Sequence, residues 1–95
     1  LNRLVTRFPA EPEYVYARGE VYRLRADEGD MDAALADFVT AANIGREPAE
    51  THRGLGLIYR ARKQAVEARA SFERYLAIAP NAVDAAFIKT YLAEP

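Results

Sequence analysis

Residues 54–80, GLGLIYRARKQAVEARASFERYLAIAP, belong to two apolar stripes at helical spacing, separated by a polar break at residues 63–64. Residues three or four apart lie on one face of a helix. Pro80 ends the second stripe, because proline lacks an N–H and its ring clashes with the preceding turn. The stretch therefore predicts two antiparallel helices. Their facing side chains are His52, Leu55, Gly56 and Tyr59 in the first helix, and Ala68, Phe72, Tyr75 and Ala79 in the second.

Small residues in this pattern alternate with large ones. Gly56 and Ala68 allow the two helices to approach closely, and the rings of Tyr59 and Phe72 fill the space beside them.

The same pattern occurs earlier in the chain. YRLR at residues 22–25 returns as YRAR at residues 59–62, and Gly19 returns as Gly56. A second set of residues returns after a shorter interval than the first set. The first copy therefore contains a three-residue insertion around ADEGDMD, residues 26–32. In that set, Ala34, Ala36, Phe38 and Ile44 return as Ala68, Ala70, Phe72 and Ile78. Repetition of a helix pair indicates stacked units.

These residues resemble the tetratricopeptide repeat family, whose unit of about 34 residues has Trp, Leu-Gly, Tyr, Ala, Phe or Tyr, Ala and Pro in that order. The second unit, residues 49–82, matches at Leu55, Gly56, Tyr59, Ala68, Phe72 and Pro80, and it departs at His52, Lys63 and Tyr75. The first unit, residues 12–48, matches at Gly19, Tyr22, Gly29, Ala34, Phe38 and Ala41, with Arg18 in place of the leucine.

The resemblance implies an all-α fold, a single tetratricopeptide-like α-solenoid domain over residues 1–95. Residues 1–9 resemble the second helix of a partial repeat, and residues 83–95 resemble a helix that caps the open end of an array. The expected helices cover residues 1–8, 12–26, 32–44, 49–61, 65–78 and 83–93. On the last helix, the apolar side is expected to carry Val83, Phe87, Ile88, Tyr91 and Leu92.

Composition argues against several classes of function. The 95 residues have a formal net charge of -1, and acidic residues interleave the arginines, so nucleic-acid binding is not expected. There is no cysteine, which excludes disulfides and thiolate metal sites. No apolar run has the roughly 20 residues that a membrane helix needs, so we expect no membrane insertion.

Candidate catalytic residues are scarce. His52 is the only histidine and Ser71 the only serine, and neither has a base or a second ligand nearby in sequence. The acidic run at residues 27–32 places Gly29 too early for a calcium loop of the EF-hand type. We interpret it as a turn in which Gly29 reverses the chain and Asp30 or Asp32 caps the next helix. The sequence predicts no enzyme activity, cofactor or metal site.

The family resemblance also implies a binding groove lined by the first helix of each pair. Carried over by register, the predicted partner-binding residues are Glu13, Tyr16, Glu20, Arg23 and Leu24 in the first unit, Arg53, Leu57 and Arg60 in the second, and Phe87 in the last helix. The same register adds Glu50, Ala61, Asp84 and Tyr91. Tyr16 and Leu57 offer apolar anchors, and the three arginines can bind carboxylates in bidentate pairs. The expected partner is a protein or peptide with acidic or carboxylate groups.

Other functions remain open. The module is also consistent with self-association, or with the structural tail of a larger protein. ERYLAIAPNAVDAAFIKTYL, residues 73–92, is similar to the repeat tails of some bacterial cell-envelope zinc metallopeptidases, although this chain has no H-E-x-x-H motif. Because the chain begins at Leu1 in helical pattern, we expect a piece of a longer protein, located in the cytoplasm or the bacterial periplasm.

Overall fold

The computed structural model describes residues 11–94. Over this range the chain forms five α-helices and no strand: α1 (Pro12–Arg25), α2 (Asp30–Ile44), α3 (Glu50–Ala61), α4 (Ala65–Ile78) and α5 (Ala85–Leu92). The all-α prediction is confirmed. The helix expected over residues 1–8, and with it the partial repeat at residues 1–9, lies outside the described residues.

The helix bounds agree with the predicted ones to within two residues. The last helix begins at Ala85 rather than at residue 83, which leaves Val83 in the preceding turn and fully exposed. The expectation that Val83 faces the apolar side of this helix was therefore wrong. Ile88 is buried as expected, whereas Phe87 is 60% exposed.

The helices pack as two successive pairs. α1 packs against α2 and α3 against α4, while α2 and α1 both contact α3, and α5 packs against α4. Short turns join the members of each pair, as in antiparallel helix hairpins. The resulting stack measures 41 × 29 × 21 Å.

One aromatic ring in each pair lies directly against a glycine. Phe38 of α2 is fully buried between α1 and α3. A Cβ atom at Gly19 would lie 2.9 Å from its ring, and one at Gly54 would lie 2.6 Å from it. In the second pair, a Cβ at Gly56 would come even closer to the ring of Phe72. These approaches allow the helices to pack tightly, as the sequence predicted for Gly56 and Phe72.

An ion pair fixes α1 on α2. Arg18, which stands where the family has leucine, donates from Nε and Nη2 to the two carboxylate oxygens of Asp37 at 2.8 and 2.7 Å. The Asp37 side chain is only 7% exposed. Bidentate pairs of this kind are among the stronger charge-assisted hydrogen bonds.

The turn between α1 and α2 uses the inserted residues. Gly29 adopts a left-handed φ of 82° and reverses the chain as expected. The expectation that Asp30 or Asp32 caps α2 was wrong, because neither side chain makes a cap hydrogen bond. The Asp30 carboxylate instead accepts from the Arg25 guanidinium at 2.7 and 2.8 Å and from the backbone N–H of Asp27 at 2.9 Å. The insertion thus forms a closed turn.

Left-handed backbone also occurs at residues other than glycine. Lys63, in the turn between α3 and α4, has a φ of 61°, and Arg46, between α2 and α3, has a φ of 57°. This conformation costs a residue with a Cβ about 1–2 kcal/mol. Lys63 stands at the turn position where the family has glycine, and its backbone keeps the conformation that glycine would favour.

Alanine substitution of the three close-approach glycines should destabilise the protein most at Gly56, less at Gly54 and least at Gly19. Overpacking costs about 1–3 kcal/mol, which exceeds the ~1 kcal/mol that alanine gains over glycine inside a helix. Urea unfolding measures the order. In a Phe72→Leu background the added methyl at Gly56 should cost less, because the ring that it meets is gone. A stabilised Gly56→Ala protein would contradict this packing.

Candidate functional site

Most of the predicted partner-binding residues lie on one connected surface of α1, α3 and α5. We call this surface the groove face and define it by Tyr16, Glu20, Arg23, Arg53, Leu57, Arg60 and Phe87. Arg23 and Leu57 line the same small depression of about 80 Å³. Glu13 and Leu24 are exposed. The carboxylate of Glu13 makes no ion pair or hydrogen bond with other residues in the range 11–94.

A chain of ion pairs crosses the groove face. Arg23 donates from Nε and Nη2 to the two carboxylate oxygens of Glu20, at 2.7 and 3.0 Å. Arg53 of α3 then bridges two acids, since its Nη2 lies 3.7 Å from Glu20 Oε2 and its Nη1 donates to Asp84 Oδ2 at 3.2 Å. This network joins α1, α3 and the residue that precedes α5.

Asp84 is held by two donors. The hydroxyl of Tyr75 donates to Oδ1 and the Arg53 guanidinium donates to Oδ2. These bonds, the tyrosine's most strongly, hold the pKa of Asp84 below its ordinary value despite partial burial. Burial, together with the Asp84 charge, raises the pKa of Tyr75. The sequence marked Tyr75 only as a departure from the family pattern, whereas its hydroxyl anchors the network.

The far end of the groove face is aromatic. The guanidinium carbon of Arg60 lies 4.2 Å from the centroid of the Tyr91 ring, and its Nη2 donates to Glu94 Oε1 at 2.7 Å. Phe87 meets the same Tyr91 ring edge-on, with centroids 5.3 Å apart. The side chains of Arg60 and Glu94 are 44% and 46% exposed. An exposed pair of this kind contributes little to stability, so another carboxylate can replace Glu94.

All three arginines of the groove face therefore have carboxylate partners within the chain. Sequence reasoning placed the arginines, Glu20 and Asp84 on one face without pairing them, and it missed Glu94, which lies outside the repeat pattern. The three arginines are balanced by Glu20, Asp84 and Glu94. A ligand carboxylate must exchange with one of these acids.

The apolar part of the groove face is unevenly accessible. Tyr16 is half-buried, with its ring centroid 5.8 Å from that of Phe38, and burial, with the charge of Glu20, raises the pKa of its hydroxyl. Leu57 is half-buried against the core of the second pair. Among the apolar residues that define the groove face, Phe87 is therefore the most accessible.

The two residues considered for catalysis, His52 and Ser71, are both packed into the fold. His52 is buried, and its Nε2 lies 2.8 Å from Glu47 Oε1. Ser71 is buried on α4. Within residues 11–94 no cluster of three or more histidine or acidic side chains is arranged to hold a metal ion. None of the helices in that range is both long and apolar enough to cross a bilayer.

Comparisons with models of protein families, with curated proteins and with solved structures find no match for this chain. The resemblance to tetratricopeptide repeats therefore remains a prediction from the residues quoted above.

The contribution of Asp84 to the free energy of unfolding should depend on pH. Because its folded pKa is lowered, its contribution to stability is present above the unfolded value of about 3.9 and is lost as pH falls through the folded pKa. Asp84→Asn should lower the free energy of unfolding at pH 7 and make its decline between about pH 5 and pH 3 shallower. Urea unfolding across this range measures both effects.

The matched control is Glu73→Gln, which removes an exposed carboxylate that makes no ion pair with other described residues. Its stability should follow the wild type at each pH. If the free energies of unfolding of the wild type and of Asp84→Asn declined in parallel as the pH is lowered, the assigned network would be contradicted.

Proposed function

We propose that this chain is a non-catalytic, tetratricopeptide-like α-solenoid module that binds a peptide or protein segment on its groove face. The observation that carries the proposal is the continuity of that face, on which one network joins Arg23 and Glu20 of α1, Arg53 of α3 and Asp84, the residue that precedes α5. The repeated placement of Phe38 and Phe72 against glycines supports the repeat assignment. Helix pairs stacked in this way present their first helices on one side.

The composition of the groove face favours a partner with apolar as well as acidic side chains. Tyrosine, phenylalanine and arginine are residues that provide much of the binding energy at protein interfaces. Phe87 and Leu57 provide apolar contact, and Arg53, which is 26% exposed, can exchange Asp84 for a partner carboxylate. Because the arginines are already neutralised, charge alone gives little net attraction, and apolar contact is needed for affinity.

A second candidate function is self-association, or packing against the rest of a larger protein such as a bacterial cell-envelope zinc metallopeptidase. Val83 is fully exposed and Phe87 is 60% exposed at the last helix. Exposed apolar side chains at the end of a helical stack provide a surface for further packing. Sedimentation over a wide concentration range distinguishes a self-associating chain from a monomer that captures peptides.

A peptide selected from a displayed random library against the wild-type chain should lose about tenfold or more in affinity when Arg23 and Arg53 are both replaced by glutamine. The loss is expected because charge-assisted hydrogen bonds contribute about 1.5–3 kcal/mol each. Fluorescence anisotropy with the labelled peptide measures it.

The control replaces Arg46 and Arg74, two exposed arginines without an ion pair to any described residue, with glutamine. This change removes the same charge and should leave affinity unaltered. Equal affinity of the two double variants, or a selection that yields no binding peptide, would argue against the groove face as the binding site.

A further inference from the structure

An open cleft of about 350 Å³ lies beside the groove face, between the turn that joins α3 to α4 and the C-terminal end of α5. Its floor is apolar and includes Ala68, Phe72 and Leu92. The volume lies within the range of about 300–1,000 Å³ that is typical of small-molecule sites. The cleft can therefore enclose the apolar body of a small ligand.

The rim of the cleft is mostly cationic. Arg60, Lys63 and Arg69 line it together with a single acid, Glu94. Arg69 donates from Nη2 to the backbone carbonyl of Leu92, which keeps its positive charge uncompensated. Three cations against one carboxylate give the rim an excess of positive charge, which favours an anionic ligand.

The side chain of Lys63 takes no part in the packing of the fold. Its side chain is exposed and makes no hydrogen bond or ion pair with any residue in the range 11–94, whereas its backbone N–H donates to the Arg60 carbonyl at 3.0 Å. Its φ of 61° is nevertheless a conformation in which glycine would be less strained. Residues in sparsely populated backbone conformations cluster at functional sites. Lys63 lines the rim of the cleft, where its ammonium can reach an anion.

We propose that this cleft binds a small organic carboxylate with an aromatic or branched apolar body. The carboxylate replaces Glu94 on Arg60 and gains the ammonium of Lys63 as a second partner. The apolar body lies against Leu92 and the accessible part of Tyr91, while Phe72, stacked on Tyr91 with centroids 5.3 Å apart, is buried beneath them. Exchange is possible because the pair of Arg60 and Glu94 is exposed on both sides.

The site is separate from the proposed peptide-binding function, although Arg60 borders both surfaces. Lys63 and Arg69 lie outside the groove face, so variants at these residues test the cleft alone. Loss of peptide binding through Arg23 and Arg53 would leave this proposal unaffected.

The probe is 3-phenylpropionate, titrated into the isotopically labelled chain and followed by amide NMR signals. We expect shifts at residues 60–72 and 91–94, with a dissociation constant on the order of 1 mM. The neutral analogue 3-phenylpropanol lacks the charge and acetate lacks the ring, and each should bind about tenfold more weakly. Equal binding of the alcohol, or shifts elsewhere in the chain, would overturn the proposal.

Lys63→Gly gives the sharpest test, because it should raise the melting temperature and yet weaken phenylpropionate binding about tenfold. Arg46→Gly is the matched control. It also removes an exposed cation from a left-handed turn position, at a φ of 57°, but away from the cleft. It should raise the melting temperature and leave affinity unchanged. Unchanged affinity of Lys63→Gly would refute the role of the lysine.

Glu94→Gln tests the competition at Arg60. Without the internal carboxylate, phenylpropionate should bind about two- to fivefold more tightly, since an exposed ion pair contributes little. Affinity that stays the same or falls would show that Glu94 does not occupy the ligand's position.

Discussion

Close contact between an aromatic ring and a glycine backbone is the constraint on which the rest of the structure depends. Phe38 lies between Gly19 of α1 and Gly54 of α3, so one side chain sets the spacing of three helices. Phe72 repeats the arrangement with Gly56. Because the first helices approach so closely, residues on α1 and α3 can reach one another, and Glu20 and Arg53 can interact.

The proposed binding on the groove face would be coupled to stability. Arg53, the central residue of the network, also holds Asp84 at the start of α5. A partner that takes Arg53 away from Asp84 leaves the carboxylate with Tyr75 as its remaining donor. Binding at this point therefore weakens the attachment of the last helix, whereas a ligand at Arg60 affects only the exposed pair with Glu94.

The sequence predicted the helices well, because their information is local and repeated. Apolar spacing and Pro80 determine the end of α4, and the paired glycines and phenylalanines indicate which faces meet. It was less informative about polar side chains. The predicted cap at Asp30 was wrong, because an arginine five residues earlier and a backbone N–H in the turn compete for its carboxylate. The register placed Asp84 on the same face as Arg53 but did not indicate that the two pair, and Glu94, which neutralises Arg60, lies outside the repeat pattern.

The ion pair of Arg18 and Asp37 has a consequence for folding. The corresponding positions of the second unit hold Leu55 and Ser71, so the two helix pairs have different chemistry at the same point of contact. If α1 paired with α4, Arg18 would meet a serine, and Asp37 would face a leucine. Leaving one partner of such an ion pair buried and uncompensated costs several kcal/mol, about 3–5 in typical cases. The pair thus discriminates against exchange of helices between the two units or between two chains, a characteristic error of repeat proteins whose units are alike.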